Sequence, residues 1–266
     1  MKIAKVCRSA LSRFGLTIAL VVLVVLFPLA VLAGELTVAA ASDLNFAFKE
    51  LVAAYEEKTG DHVKLSLGSS GNFYSQIRNG APFDLYFSAD IAYPKKLEDA
   101  GLAVRGTLYK YAIGRLVVWA PSQSPLAVDT QGIQVLLDPS VRKIAIANPK
   151  HAPYGRAAVG ALEHFQLHDR VRDKLVLGEN ISQTAQFVQS RAADVGIIAL
   201  SLALAPAMRA GGKYWEIPTD AHPPLEQGAV VLKSSTNQDA ARAFLDFLRS
   251  ETGQAIMNRY GFVLPS

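Results

Sequence analysis

Short strand-like runs alternate with helix-like runs from residue 35 to the end of this 266-residue chain. Residues 35–41 form a β-rich run, and in residues 43–58 the apolar side chains recur at helical spacing. The same succession returns at residues 63–67 and 72–78, and it continues to the C-terminal region. Such alternation is typical of α/β proteins with mostly parallel sheets.

The alternation predicts two lobes that the chain connects twice. A long strand-like run at residues 111–120 leads from the first lobe into the second, and a Pro-rich segment at residues 218–224 leads back. The first lobe is therefore predicted to comprise residues 34–115 and 220–266, and the second lobe residues 116–219. Ligands in open α/β sheets bind beyond the carboxyl ends of the strands, where helices begin. These junctions are the first place to search for a site.

The first 33 residues have the composition of an export signal. Four basic residues precede an apolar run at residues 14–33, and no acidic residue occurs before Glu35. This order is typical of a secretory signal peptide, for which cleavage is predicted after Ala33. The apolar run is also long enough to span a bilayer, so an uncleaved anchor is the alternative. Cys7 lies in the basic part, before the apolar run, and is not placed for lipid attachment.

Without this segment the chain loses its excess of positive charge. The whole sequence has 27 basic and 23 acidic residues, and residues 1–33 contain four of the basic and none of the acidic ones. The predicted mature chain of 233 residues is thus formally neutral and contains no cysteine. This composition excludes a disulfide scaffold and removes the main support for a nucleic-acid partner.

Small polar residues occupy four predicted strand-to-helix junctions. Ser42 follows the first strand, the sequence GSSG follows the second at residues 68–71, and two later junctions lie at residues 148–155 and 178–182. Helix starts carry unpaired N–H donors and partial positive charge, so several of them aimed at one point can bind an anion without Lys or Arg. Each serine could instead do no more than cap its own helix.

Signals for an enzyme are weak. His164 and His168 are four residues apart on a predicted helix and follow Glu163, but the pattern is not H-E-x-x-H and no third metal ligand is apparent. Neither a G-x-S-x-G elbow nor a G-x-x-x-x-G-K-[ST] loop occurs. We therefore expect a binding protein and not an enzyme, with no cofactor and no side chains that bind a metal cation directly.

Six segments carry a family resemblance, and they occur in the family's order. They are AAASDL, GSSGNFYSQIRNGAPFDLYFSAD, YAIGRLVVWAP, IANPKHAPYGRAA, GENISQ and RYGFVLP. With them the chain resembles the periplasmic molybdate-binding proteins of ABC transporters over nearly the whole predicted mature chain. The resemblance implies an α/β, two-lobed periplasmic-binding-protein fold, with a mostly parallel sheet flanked by helices in each lobe. It also implies a periplasmic monomer that binds molybdate or tungstate in the cleft and delivers it to the membrane permease subunits.

The resemblance assigns ligand-binding residues in both lobes. Ser42 and Ser70 match the family's two hydroxyl-bearing ligands, and Ile181 matches a position that donates a backbone N–H from the second lobe. Asp43 follows the first ligand and is expected to offer its N–H. Tyr154 matches a position that is a backbone donor in some members and a tyrosine ligand in others.

The chain departs from the family pattern at Ala199, where many relatives have a ligand tyrosine. A phenol is therefore missing at one position and present at another, and we assign the phenol's role to Tyr154. Molybdate at neutral pH is a dianion without a proton, so it can only accept hydrogen bonds, and a site composed of donors suits it.

Other ligands and another class of protein remain as alternatives. A binding protein of the same fold could take sulfate or ferric iron, although iron requires a cluster of Tyr, His and carboxylate ligands and only Tyr154 stands at a junction. The alternative class is an exported α/β enzyme. Molybdate, tungstate and sulfate share charge and shape, so the size of the cavity must distinguish them.

Overall fold

The computed structural model describes residues 35–265, which form two five-stranded sheets flanked by helices. The predicted signal peptide, its cleavage point after Ala33 and Cys7 lie outside the described residues. The first sheet contains β1 (Glu35–Ala41), β2 (His62–Gly68), β3 (Leu85–Ser88), β4 (Tyr109–Gly114) and β10 (Leu225–Val231). The second contains β5 (Leu116–Pro121), β6 (Ile144–Ala147), β7 (Leu175–Gly178), β8 (Val195–Ala199) and β9 (Gly212–Glu216).

Each sheet has one reversed strand. The first sheet has the order β2-β1-β3-β10-β4, in which only β10 runs against its neighbours, and the second has the order β7-β6-β8-β5-β9, in which only β5 does so. These two strands are the first that the chain forms after crossing between the sheets. The chain enters each sheet at the side where the other strands have their C-terminal ends. The entering strand, β5 or β10, therefore runs antiparallel to its neighbours. The predicted α/β class with mostly parallel sheets is confirmed.

The chain crosses between the sheets at Arg115 and again between Glu216 and Leu225. The run at residues 111–120, predicted as one long strand, is therefore two strands in different sheets, and that prediction was wrong. Arg115 fixes the first crossing, because its Nε donates to the Gly261 carbonyl at 3.2 Å and its Nη1 lies 2.9 Å from the Glu216 carboxylate. We call the part around the first sheet the first lobe and the part around the second sheet the second lobe. The residue limits given above for the lobes stay a prediction.

The helices follow the strands in chain order. The first lobe has a 3₁₀ turn (Ser42–Leu44), α1 (Asn45–Thr59), α2 (Ser70–Arg78) and α3 (Ala92–Asp99). The second lobe has α4 (Val128–Gln131), α5 (Pro153–His164), α6 (His168–Val171), α7 (Ile181–Gln189), α8 (Leu200–Ala203) and α9 (Pro206–Gly211), with 3₁₀ turns at Gly132–Leu137 and Arg172–Lys174. A turn at Thr219–Ala221 precedes β10, and α10 (Gln238–Arg249) and α11 (Glu251–Arg259) complete the first lobe.

Apolar packing holds α1 against the first sheet. Phe48 of this helix is fully buried, and its ring meets that of Phe87 edge-on at 4.8 Å and that of Phe244 at 6.2 Å. The helix ends at Gly60, which has a left-handed φ of 76° and donates its N–H to the Glu56 carbonyl at 2.9 Å, the geometry of a glycine C-terminal cap. Across residues 35–265, none of the helices is long and apolar enough to cross a membrane.

Candidate functional site

A small cavity lies where the two lobes meet. All five residues assigned to ligand binding line it: Ser42, Asp43, Ser70, Tyr154 and Ile181. Its empty volume is about 190 Å³, including the solvent space at its mouth. The rest of its wall consists of small or apolar residues and Ser69, and among the described residues that line it there is no Lys, Arg or His. The structure thus brings the predicted residues together, although they are far apart in the sequence.

Three helices begin at the wall of this cavity. Ser70 is the first residue of α2, Ile181 is the first residue of α7, and Tyr154 follows Pro153 at the start of α5. Within the described part of the chain, none of these three N–H groups has a hydrogen-bond acceptor. Unpaired N–H donors at helix starts, together with the helix dipole, stabilise an anion. The site therefore offers donors from both lobes.

The hydroxyl of Ser70 is free to act as a further donor. Its Oγ accepts the N–H of Ala89 at 3.0 Å, which orients the side chain and leaves its proton available. Ser42 is engaged across the cleft, where its Oγ donates to Asn180 Oδ1 at 3.1 Å and accepts the Ser182 N–H at 3.3 Å. The prediction that Ser42 caps its own helix was wrong, because its side chain makes no capping bond and contacts the second lobe instead.

Asp43 is buried next to the cavity and is held by residues from distant parts of the chain. Its side chain is 1% exposed, and Oδ2 accepts the Tyr154 hydroxyl at 3.1 Å and the Gln227 amide at 2.7 Å. Burial, only partly offset by these hydrogen bonds, raises the pKa of this carboxyl from 3.8 to about 6. Burial also raises the pKa of the Tyr154 phenol well above 10, so that hydroxyl keeps its proton.

Tyr154 lines the cavity as expected. Its hydroxyl was predicted to donate to the anion, but in the structure a carboxylate accepts it. The hydroxyl donates to Asp43, and it also accepts the Gln227 amide at 3.1 Å. The backbone N–H of Tyr154 remains unpaired among the described residues. Contacts of the phenol and of the N–H with an anion both stay predictions.

Polar contacts join the lobes around the cavity, so the cleft is closed. On one side Arg156 Nη2 lies 2.6 Å from Asp90 Oδ2. On the other, Ser69 Oγ donates to the His151 carbonyl at 2.7 Å, and Asn72 donates to Glu179 at 2.7 Å. Two carbonyls of the 3₁₀ turn also accept bonds from the second lobe: the Ser182 hydroxyl donates to Ser42 and the Ser201 hydroxyl to Asp43, both at 2.8 Å.

Several of these residues were not singled out from the sequence. Ser69 and His151 stand within predicted junctions, so their position beside the site was accessible, but their pairing across the cleft was not. Asn180 could have been recognised as a helix cap, because its side chain accepts the N–H of Gln183 three residues later. Gln227 lies inside β10, and no local pattern distinguishes it from other strand residues.

The two histidines considered as a metal pair do not share a helix. His164 is the last residue of α5 and His168 the first of α6. His164 packs against the ring of Phe165, and His168 lies 3.6 Å from Asp169. Residues 35–265 contain no group of three or more His, Cys, Asp or Glu side chains arranged to hold a metal ion.

Comparison with known proteins identifies the fold's family. Residues 36–263 match the family described as bacterial extracellular solute-binding protein. The chain belongs to that family. This solute-binding protein is similar to "Molybdate-binding protein ModA" of Rhodobacter capsulatus, with 39% identity over 251 residues that cover 94% of this chain and 96% of that protein.

Two further relatives come from Azotobacter vinelandii. The solute-binding protein is 40% identical to "Molybdate-binding protein ModA" of that organism over 232 residues, covering 87% of this chain and 91% of that protein. Its structure superimposes on the solved periplasmic molybdate-binding protein of the same organism with a TM-score of 0.83 and 37% identity, covering 87% of this chain and all of that one. The similarity spans both lobes, so the two-lobed binding-protein fold predicted from the sequence is confirmed.

Proposed function

We propose that this solute-binding protein captures molybdate, and also tungstate, outside the cytoplasm and delivers it to the membrane subunits of an ABC importer. The observation that carries the proposal is the set of three unpaired helix N–H groups, at Ser70, Tyr154 and Ile181, that border one cavity without a basic side chain. Relatives named as molybdate-binding proteins at 39–40% identity supply the identity of the anion.

The chemistry of the donor set suits a tetrahedral dianion. The three N–H groups can only donate hydrogen bonds, and the Ser70 hydroxyl, whose oxygen accepts the Ala89 N–H, keeps its own proton to donate. Hydrogen bonds to a charged group contribute more than bonds between neutral groups, and the closed cleft excludes water that would compete. Ser42 and the N–H of Asp43 are included in the proposed site, with Ser42 Oγ turning from Asn180 to the anion when the cavity is filled.

The same proposal includes the protein's state and location. It is a periplasmic monomer, exported by a signal peptide that is removed after Ala33, and it performs no catalysis. Support for export comes from the composition of residues 1–33 and from the solved relative, which is named as periplasmic. The polar contacts between the lobes suit a cleft that opens to release its ligand, because water can replace each partner.

Calorimetric titration of the purified protein with molybdate, tungstate, sulfate and ferric iron tests this function. We expect one anion per chain, with molybdate and tungstate binding far more tightly than sulfate and no binding of iron. Equal affinity for sulfate and molybdate would show that the protein binds sulfate-type anions in general. Binding of ferric iron without molybdate would refute the proposal.

A further inference from the structure

A carboxyl group in the wall of a dianion site requires an explanation. Asp43 lines the cavity and is 1% exposed, so a charge on its carboxylate would be neither solvated nor distant from the bound anion. Two like charges at short range inside a protein repel each other strongly, because the low effective dielectric screens them little. A compensating cation or protonation of Asp43 would remove this repulsion.

No compensating cation faces this carboxyl in the described part of the chain. The 3₁₀ turn that carries Asp43 is packed by α1, β2, α7 and α8, and its carboxyl is reached by α5 and β10. The titratable side chains that act on the carboxyl are the phenols of Tyr154 and Tyr111, and burial raises the pKa of both well above 10, so they stay neutral. A neutral Asp43 is the remaining solution.

The hydrogen bonds around Asp43 show where a proton fits. Oδ2 accepts two donors, Tyr154 and Gln227, whereas Oδ1 has no partner among the described residues. The amide oxygen of Gln227 is also buried without a partner, although its nitrogen donates to Oδ2 at 2.7 Å. Unpaired buried acceptors are costly, and a proton on Oδ1 would give that oxygen a hydrogen bond to donate.

We propose that Asp43 is protonated on Oδ1 when the anion is bound, that it donates this proton to the Gln227 side-chain oxygen, and that anion capture therefore takes up a proton from solvent. This inference rests on the proposed function, because it concerns the same cavity. One proton moves from water or buffer to Oδ1, and no other bond changes. The buried carboxyl already binds protons more readily than a free aspartate, with a pKa of about 6 in the empty site, and a neighbouring dianion raises the pKa further.

Calorimetry of molybdate binding between pH 6 and 9, repeated in buffers of different ionisation enthalpy, measures the proton directly. We expect uptake of close to one proton per molybdate at pH 7.5. We also expect an affinity that falls by up to about tenfold per pH unit as the pH rises above the pKa of Asp43 in the empty protein. The parent protein alone gives this result, so the test does not depend on the folding of any variant.

Two variants then identify the group. In Asp43→Asn the side-chain nitrogen can take the place of the protonated Oδ1 and donate to Gln227, so we expect proton uptake to vanish and the affinity to become independent of pH. His151 is the matched control, because its ring lies 2.9 Å from Ser69 Oγ at the edge of the cavity and 3.5 Å from Glu179, and it takes no part in the proposed pair of Asp43 and Gln227. His151→Gln should keep both the proton uptake and the pH slope.

The outcomes separate the two proposals. Binding of molybdate without proton uptake and with constant affinity from pH 6 to 9 would overturn this inference and leave the proposed function standing. Proton uptake that persists in Asp43→Asn, or that disappears in His151→Gln, would overturn it as well. Absence of molybdate binding at every pH would refute the function itself.

Discussion

Burial of Asp43 should make the empty protein less stable as the pH rises, and the effect can be isolated with Asp43→Asn. The folded state raises the pKa of this carboxyl from 3.8 to about 6, so between these values the folded protein holds a proton that the unfolded chain has lost. Stability contributed by the neutral acid is complete below pH 3.8 and is lost as the pH rises to about 6. At 1.36 kcal/mol per pKa unit, the full loss is about 3 kcal/mol.

The predicted quantity is the difference in unfolding free energy between variant and parent, compared at two pH values. The titration of all other groups is common to both proteins and cancels. The stability of Asp43→Asn minus that of the parent should increase by about 2 kcal/mol between pH 4 and pH 8, because part of the loss is already present at pH 4. For a chain of this length the relative melting temperature should rise by roughly 4–8 °C. Urea unfolding at both pH values, followed by circular dichroism without any anion present, measures the difference.

Asp169→Asn serves as the control for this measurement. Its side chain is 92% exposed and should give no change in this difference. If Asp43→Asn and the parent differ by the same amount at pH 4 and pH 8, the carboxyl of Asp43 is not desolvated as the structure indicates. A difference that decreases with pH would contradict the sign of the argument.

Four further results are expected. Ser42→Ala and Ser70→Ala should each weaken molybdate binding by about one to two decades in titrations, on the scale of one hydrogen bond to a charged ligand. Unchanged affinity in both variants would show that the site has been assigned to the wrong residues. Molybdate at a hundredfold excess over its Kd should stabilise the protein by about 2.7 kcal/mol, with sulfate at the same concentration giving a much smaller thermal shift. Tyr154→Phe should weaken binding by about tenfold, because its hydroxyl holds Asp43 at 3.1 Å, and a parental affinity would show that this bond is dispensable. Arg156→Ala should speed molybdate release by no more than about fivefold in stopped-flow measurements, since the Asp90 pair that it breaks is partly exposed, and a larger effect would make this pair a principal lock of the cleft.

The sequence predicts the fold and the location of the site because both depend on local signals. Alternating apolar patterns indicate the strands and helices, and Ser70 and Ile181 mark helix starts that directly follow strands. Parallel strands bring the helix starts of one lobe to one edge of its sheet, whereas the meeting of Ser70 with Ile181 also depends on how the two lobes face each other. The division of residues 111–120 was missed, because β4 and β5 are separated only by Arg115 and both are rich in apolar residues.

The electrostatics of the site could not be predicted in the same way. Asp43 and Gln227 are 184 residues apart, and their contact depends on the register of β10 between β3 and β4. Tyr154 was expected to direct its hydroxyl at the anion, but whether a phenol meets a ligand or a neighbouring carboxylate depends on side-chain positions that only the packed lobes determine. The local sequence pattern therefore predicts which residues supply the hydrogen-bond donors. The protonation state of the neighbouring carboxyl can be inferred only from the folded cleft.

The reversed strand β10 has a consequence for the order in which the chain folds. Among the described residues β10 is the one strand that pairs with β4, and Ile113 of β4 also bridges Val263, so residues 109–114 have no partner until the C-terminal part of the chain is available. The second sheet, by contrast, draws all its strands from one continuous stretch between Leu116 and Glu216. Because contacts between distant residues form slowly, we expect the lobe that leaves the ribosome first to be completed last. For the export that we propose, this delay is an advantage, since the N-terminal half would stay incomplete until nearly the whole sequence had been translocated.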